Sequence, residues 1–138
     1  MYEELEDKNV LITGASGGLG SCIAKEFGKY KCRVGIHFNT NIEKAIAASL
    51  EIDNEKAELF KANLLYVDAA IDLVDNFVVR FKGIDVLINN AGGVHPVTEE
   101  VTQEIWDNMI NLNIRAPFFL SQQAFKHMLN NEDGGRII

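Results

Sequence analysis

Two cysteines, Cys22 and Cys32, are all that 138 residues contain, too few for a disulfide framework or a four-ligand zinc site. Both read as small buried apolar residues. The three histidines, His37, His95 and His127, are widely separated, and none forms an HxxxH or HxH pair, so no metal ligand is assigned. Basic clusters are missing as well. Thirteen Lys and Arg against twenty Asp and Glu give a formal charge of −7, with no run of positive charge suited to a polyanion, so nucleic acid is not an expected partner. No apolar run reaches membrane-spanning length, and the start MYEELEDKNV is acidic and polar where a signal peptide would be basic and then apolar. No membrane partner and a cytoplasmic location are expected. Repeats, low-complexity tracts and linker-like stretches are also absent, so no internal domain boundary is visible.

What the chain does carry is an alternation of apolar runs and helical periods, in a composition that is 47% hydrophobic and able to bury the core of one domain, or part of one. The runs KNVLITG (8–14), RVGIHF (33–38), AELFKAN (57–63) and DVLINN (85–90) are mostly continuous in apolarity, which predicts parallel strands covered on both faces. Between them Ile42, Ala45, Ile46, Ser49 and Leu50 keep helical spacing, and Val67, Ile71, Val74, Val78 and Phe81 trace a second stripe. Thr40 and Glu43 read as a capping box that opens the first of these helices. A long helix is expected from about Thr102 to Asn130, after which GGRII (134–138) reads as the opening of a fifth strand. This order implies an α/β fold with an open, doubly wound parallel sheet and helices on both faces.

The turn TGASGGLG, Thr13 to Gly20, joins the first strand to the first helix, and three mechanisms could use it. A mononucleotide P-loop requires a Lys directly after its last glycine; the nearest, Lys25, lies a turn into the helix. Gly14-Ala15-Ser16-Gly17-Gly18 matches the GxSxG nucleophile elbow, with Ser16 as nucleophile, but on the first strand it lacks the earlier strand and loop that complete an oxyanion hole. The third mechanism is dinucleotide binding, in which glycines let the backbone turn tightly and aim a helix N-terminus at a pyrophosphate. The bland alternative is a tight connection and no more.

Further motifs favour the third mechanism. The pattern TGxxxGxG, met by Thr13, Gly14, Gly18 and Gly20, and the later NNAG, Asn89 to Gly92, together resemble the short-chain dehydrogenase/reductase family. In isolation NNAG could be an Asn/Gly-rich turn that ends a strand. The segment EIWDNMINLNIRAPFF resembles a third family element, in which an Asn of the catalytic tetrad follows a Trp by seven residues; this places the role on Asn113. Ile105, Met109, Asn113, Ala116 and Leu120 share a helix face, so Asn113 is expected on an inward stripe with partners for its amide. Pro117 has no N–H for the carbonyl of Asn113, and in the family that carbonyl holds a water of the proton relay. An Asn tolerated at a Pro kink is the alternative.

The resemblance implies a Rossmann-type domain binding NAD(P) and hydride transfer between nicotinamide and a carbonyl or alcohol. The expected cofactor contacts are Gly14, Ser16, Gly17, Gly18, Leu19 and Gly20 in the turn, Phe38, Asn39 and Thr40 after strand two, Asn63 and Leu64 after strand three, and Asn90, Ala91 and Gly92 after strand four. Phe38 occupies the place where NAD-preferring sites offer a carboxylate, so NADP(H) is favoured over NAD(H). Against this, Gly17 stands where many NADP-dependent relatives carry Arg or Lys, leaving Asn39, Thr40 and Asn41 as neutral donors.

The family's acid is Tyr in YxxxK, with a Ser shortly after strand five begins. Tyr2, Tyr30 and Tyr66 have Glu6, Val34 and Ala70 at i+4, so none matches. Residues 1–138 are therefore expected to be the cofactor-binding portion of a single-domain reductase, truncated at the start of strand five and inactive alone. With the missing segment present, the substrate would be a small carbonyl or acyl thioester, closest to the 3-oxoacyl-carrier-protein reductase type. A non-catalytic dinucleotide-binding or interaction module is the alternative. The uncovered edge of strand five predicts a homo-oligomer, or marginal stability.

Overall fold

The computed structural model describes residues 3–53, 55–95 and 100–138. After a short 3-10 turn, the order is β1 (Asn9–Ile12), α1 (Gly18–Lys29), β2 (Arg33–Phe38), α2 (Ile42–Leu50), β3 (Ala57–Lys61), α3 (Val67–Phe81), β4 (Val86–Ile88), α4 (Gln103–Ile110), a π-helical turn (Asn111–Arg115), α5 (Ala116–Met128) and β5 (Arg136–Ile137). The strands form one parallel sheet, as the alternation predicts, in the order β3-β2-β1-β4-β5. Val10 lies level with Val34 on β2 and Val86 on β4, and Val86 lies level with Arg136 on β5.

Side-chain alternation along β1 divides the core in two. Leu11 joins Leu73, Phe77, Ile84, Leu87 and Leu120 beneath α3 and α5, whereas Val10 and Ile12 join Ala24, Val34, Ile36, Ala45 and Ile88 beneath α1 and α2. Both faces of the sheet are thus covered, which is why its strands read as continuous apolar runs.

Several local expectations are corrected. On α2 the buried residues are Ala45 and Ala48, while Ile42, Ile46 and Leu50 face outward, Leu50 at 67% exposure. The face that meets the sheet is the one of small residues, which lets the helix approach closely. Its N-cap is Asn41, whose side chain accepts from Lys44 N at 2.9 Å, rather than Thr40. On α3 the buried stripe is Ala70, Leu73, Val74, Phe77 and Phe81, rotated slightly from the expected one. Cys32 is buried, but Cys22 is exposed, two positions from each of the buried residues Gly20 and Ala24 and so across the helix from them.

The expected long helix begins after the N-cap Thr102 and is widened in its middle, where Ala116 N bonds Asn111 O over five residues. Pro117 explains the widening: it offers no N–H, and its ring crowds the carbonyl of Asn113. Asn113 is exposed rather than buried, since this stretch borders an open cleft. Tyr2 lies outside the described residues.

Candidate functional site

Strand order reverses between β1 and β4, and their C-terminal ends open into a cleft of about 490 Å³. Such a crevice is where doubly wound sheets place ligands. Its walls hold most of the predicted residues: Gly14 and Ser16; Phe38, Asn39 and Thr40; Asn63 and Leu64; Ala91 and Gly92; and Asn113. Gly17, Gly18, Leu19, Gly20 and Asn90 do not line it. Gly17 is the N-cap of α1, and Gly18, Leu19 and Gly20 are its first residues, whose N–H groups have no partner within the helix. Together with the helix dipole they form a site of positive potential at the mouth of the cleft.

The glycine turn is braced by NNAG. Thr13 is 1% exposed. Its Oγ1 accepts from Asn90 N at 3.1 Å and Ala91 N at 2.9 Å, and donates to Ile88 O at 3.3 Å. Asn90 returns the contact: its amide donates to Thr13 O at 3.0 Å and Gly14 O at 3.1 Å. Asn90 therefore serves this turn through the backbone it holds. Gly14 adopts φ +63°, a left-handed conformation that admits glycine readily.

Sequence reasoning gave His37 no role, yet it is 3% exposed and lines the cleft. Its Nδ1 accepts from Gly14 N at 2.9 Å, so Nε2 carries the proton and donates to Ala62 O at 3.0 Å. Burial lowers its pKa below 6.5, opposed by the Ala62 carbonyl. The unfolded ring takes up a proton near 6.5 while the folded ring resists it. Stability is therefore full above that value and declines as pH falls toward the lowered folded pKa. The one signal in the sequence was a polar ring inside an otherwise apolar strand.

Asn113 ties the widened helix to the NNAG loop. Gly93 N donates to its Oδ1 at 3.0 Å, and its Nδ2 donates to Gly93 O at 3.0 Å and Met109 O at 2.9 Å. Asn63 Oδ1 already accepts from Leu65 N at 3.1 Å, leaving one lone-pair direction for a ligand. Arg115 fastens the same loop through Leu65 O at 2.6 Å.

No Asp, Glu, Lys or Arg lines this cleft among the described residues, and Leu19 is solvent-exposed outside it. Ser16 also borders a smaller groove with Ser21, Cys22, Lys25, Lys44 and Glu51. Lys25 pairs with Glu51 at 2.5 Å, but Lys44 has no carboxylate partner among the described residues. The Lys44 side chain passes Gly17, its Cδ 3.9 Å from where a Cβ would stand.

A family model described as short chain dehydrogenase matches residues 8–138. The chain is 31% identical over 143 residues to Glucose 1-dehydrogenase 2 of Bacillus subtilis (strain 168), covering 100% of this chain and 55% of that one. A short chain dehydrogenase from Burkholderia cenocepacia J2315, solved in complex with NADP, superposes with a TM-score of 0.85 at 32% identity, covering 89% of this chain and 51% of that one. An NADH-dependent reductase A1-R′ complexed with NAD gives a TM-score of 0.79 at 31% identity, with coverage of 93% and 55%. The chain spans about half the length of the curated relatives it matches. None of these three names specifies an acyl-carrier-protein substrate.

Proposed function

The chain belongs to the short chain dehydrogenase family, and from that premise we propose that residues 1–138 are the dinucleotide-binding portion of an NAD(P)-dependent oxidoreductase. The observation that carries this is the juxtaposition of the unpartnered N–H groups of α1 with an open cleft at the sheet's reversal point. The fit is chemical as well as spatial. The cleft volume suits a small-molecule ligand, no carboxylate lines it among the described residues, and a Cβ on Gly14 would come within 2.9 Å of Ala91 Cα, closing the turn.

In this reading the backbone of Gly18, Leu19 and Gly20 holds the pyrophosphate, Asn63 and Leu64 bound the adenine, and Asn39 and Thr40 face its ribose. Ala91 and Gly92 give the nicotinamide end close access to backbone. The hydride is supplied by the dinucleotide when bound; the protein orients it. Asn113 serves the proton path through its main-chain carbonyl, and its doubly bonded amide keeps that turn in place.

The described cleft contains no tyrosine paired with a lysine to act as acid. Tyr66 is exposed and Ala70 stands at i+4. Hydride transfer to a small carbonyl or acyl thioester is thus assigned to a longer chain. NADP(H) is favoured over NAD(H), because Phe38, Asn39 and Thr40 offer no negative charge and Lys44 brings a cation past Gly17. Lys44→Glu is expected to weaken 2′,5′-ADP about tenfold by calorimetry and leave 5′-AMP unchanged.

The apolar Ile114, Phe118, Phe125 and Leu129 are exposed along α5 and the turn before it, which supports a homo-oligomer built on this face. Sedimentation should show association at micromolar concentration that Phe118→Glu abolishes. Two unpaired thiols fit a reducing, cytoplasmic setting.

The decisive test is binding of NADP(H) and NAD(H) to the 138-residue chain, followed by NADPH oxidation with a small ketone or acetoacetyl thioester. Binding without turnover, with turnover gained in a chain extended downstream, is the expected result. No binding would overturn the reading, and silence in the extended chain would favour a non-catalytic module.

A further inference from the structure

We propose that His37 is a positioning residue for the dinucleotide cleft: its two ring nitrogens form a strut that holds the glycine turn against the loop that follows β3. The proposal rests on the dinucleotide reading above. Its geometry begins with an accounting of backbone donors around the turn. Thr13 N bonds Ile88 O at 3.0 Å, continuing the sheet, and Ala15 N bonds His37 O at 2.9 Å. Between them, Gly14 N–H has no main-chain acceptor among the described residues. A side-chain acceptor must satisfy it, and Nδ1 of His37 does.

Imidazole suits the place because it accepts on one side while donating on the other. The Nε2–H reaches Ala62 O, one residue before Asn63 and Leu64 on the adenine side of the cleft. One rigid ring thus connects the phosphate-facing turn, the end of β2 and the end of β3. Phe38, Asn39 and Thr40 follow it directly. A shift of the ring would move three of the four segments expected to contact cofactor, although His37 itself need touch none of it.

The strut holds only while Nδ1 is unprotonated, since a proton there would set two N–H groups against each other. Among the described residues no charged group offsets this. The turn from β1 presents Thr13, Ala15 and Ser16, none ionisable near neutrality. On β3, His37 lies level with Phe60; Glu58 lies opposite Gly35 and pairs with Arg80, and Lys61 lies opposite Phe38. His95 is the other titratable group lining the cleft. No ionised side chain contributes to the lowered pKa of His37.

The test uses the 138-residue chain, with ADP-ribose and NAD⁺ as calorimetric probes between pH 8 and 5.5, because their pyrophosphate does not titrate in that range, and ring ¹⁵N and Gly14 amide resonances recorded without ligand. Wild type should lose affinity as pH falls, by less than about tenfold at pH 5.5 because burial holds the folded ring's pKa below 6.5. His37→Asn keeps an acceptor near the Nδ1 position and does not titrate, so it should bind within about threefold of wild type at pH 8 with a flat profile. His37→Phe removes both bonds and should bind at least about tenfold more weakly at every pH. A purely structural ring would lower thermal stability in both variants without flattening the profile.

Wild-type-like binding by His37→Phe, or a wild-type pH profile in His37→Asn, would overturn the proposal. Should either variant fail to fold, the wild-type spectrum decides: a Gly14 amide that ignores the His37 titration overturns it, and one that follows the ring supports it. A coupled titration in a wild-type chain that binds neither probe at pH 8 would support the strut and overturn the dinucleotide reading instead.

Discussion

Gly20→Ala is expected to abolish dinucleotide binding, by more than about a hundredfold, and to lower stability by about 2 kcal/mol despite the better helix propensity of alanine. A Cβ at this position would overlap Gly14 O and lie 2.5 Å from Asn90 Nδ2 and 3.0 Å from Ala15 Cα. These neighbours cannot yield cheaply. Gly14 is held by His37 and Asn90, and Asn90 is held by Thr13. Alanine gains about 1 kcal/mol over glycine within a helix, less than the cost of overpacking against fixed backbone. Gly17→Ala is the matched control: Gly17 has extended backbone, and its Cβ would meet only the flexible Lys44 side chain at 3.9 Å. It should cost no more than about 1 kcal/mol, the difference between glycine and alanine at an N-cap, and weaken binding far less than Gly20→Ala. Denaturant midpoints and ADP titrations measure both effects, and a Gly20→Ala chain that binds like wild type would contradict the packing argument.

Thr13→Val should lower the unfolding free energy by about 2–3 kcal/mol while leaving the shape of the side chain almost unchanged. Asn90 N–H retains Ile88 O at 3.0 Å, so the full cost of a stranded donor falls on Ala91 N–H. The loss of the bond to Ile88 O adds to it. Thr13→Ser keeps the hydroxyl and sacrifices a buried methyl, at about 1 kcal/mol. Urea unfolding with an unchanged m-value separates the two: valine must fall well below serine. The same substitution loosens the NNAG loop, so ADP affinity should decline with stability. Equal midpoints for the two variants would show that the hydroxyl is not the brace.

The two substitutions probe what sequence reading saw only in part. Thr13, Gly14, Gly20 and NNAG were legible as motifs because each is contiguous and its residue types carry their own turn chemistry. That Asn90 and Thr13 hold one another was not, since they lie 77 residues apart. His37 was invisible for the same reason, with partners 23 and 25 positions away and no local pattern to mark it. The seven-residue spacing from Trp106 marks Asn113, but its exposure is not legible in the sequence. Helical spacing placed it on an inward stripe, whereas the stripe at that point borders open space rather than the sheet.

The run of apolar strands and helices, the glycine turn at the end of β1 and the place of Pro117 in the long helix were determined by the sequence itself, because each depends on backbone preferences within a few residues. Tertiary structure decided the rest. It turned the alanines of α2 inward in place of its larger side chains, because only small residues fit the close approach to the sheet. It also set the protonated nitrogen of His37, because the donor and acceptor that choose between Nδ1 and Nε2 come from β1 and β3, brought together only by folding.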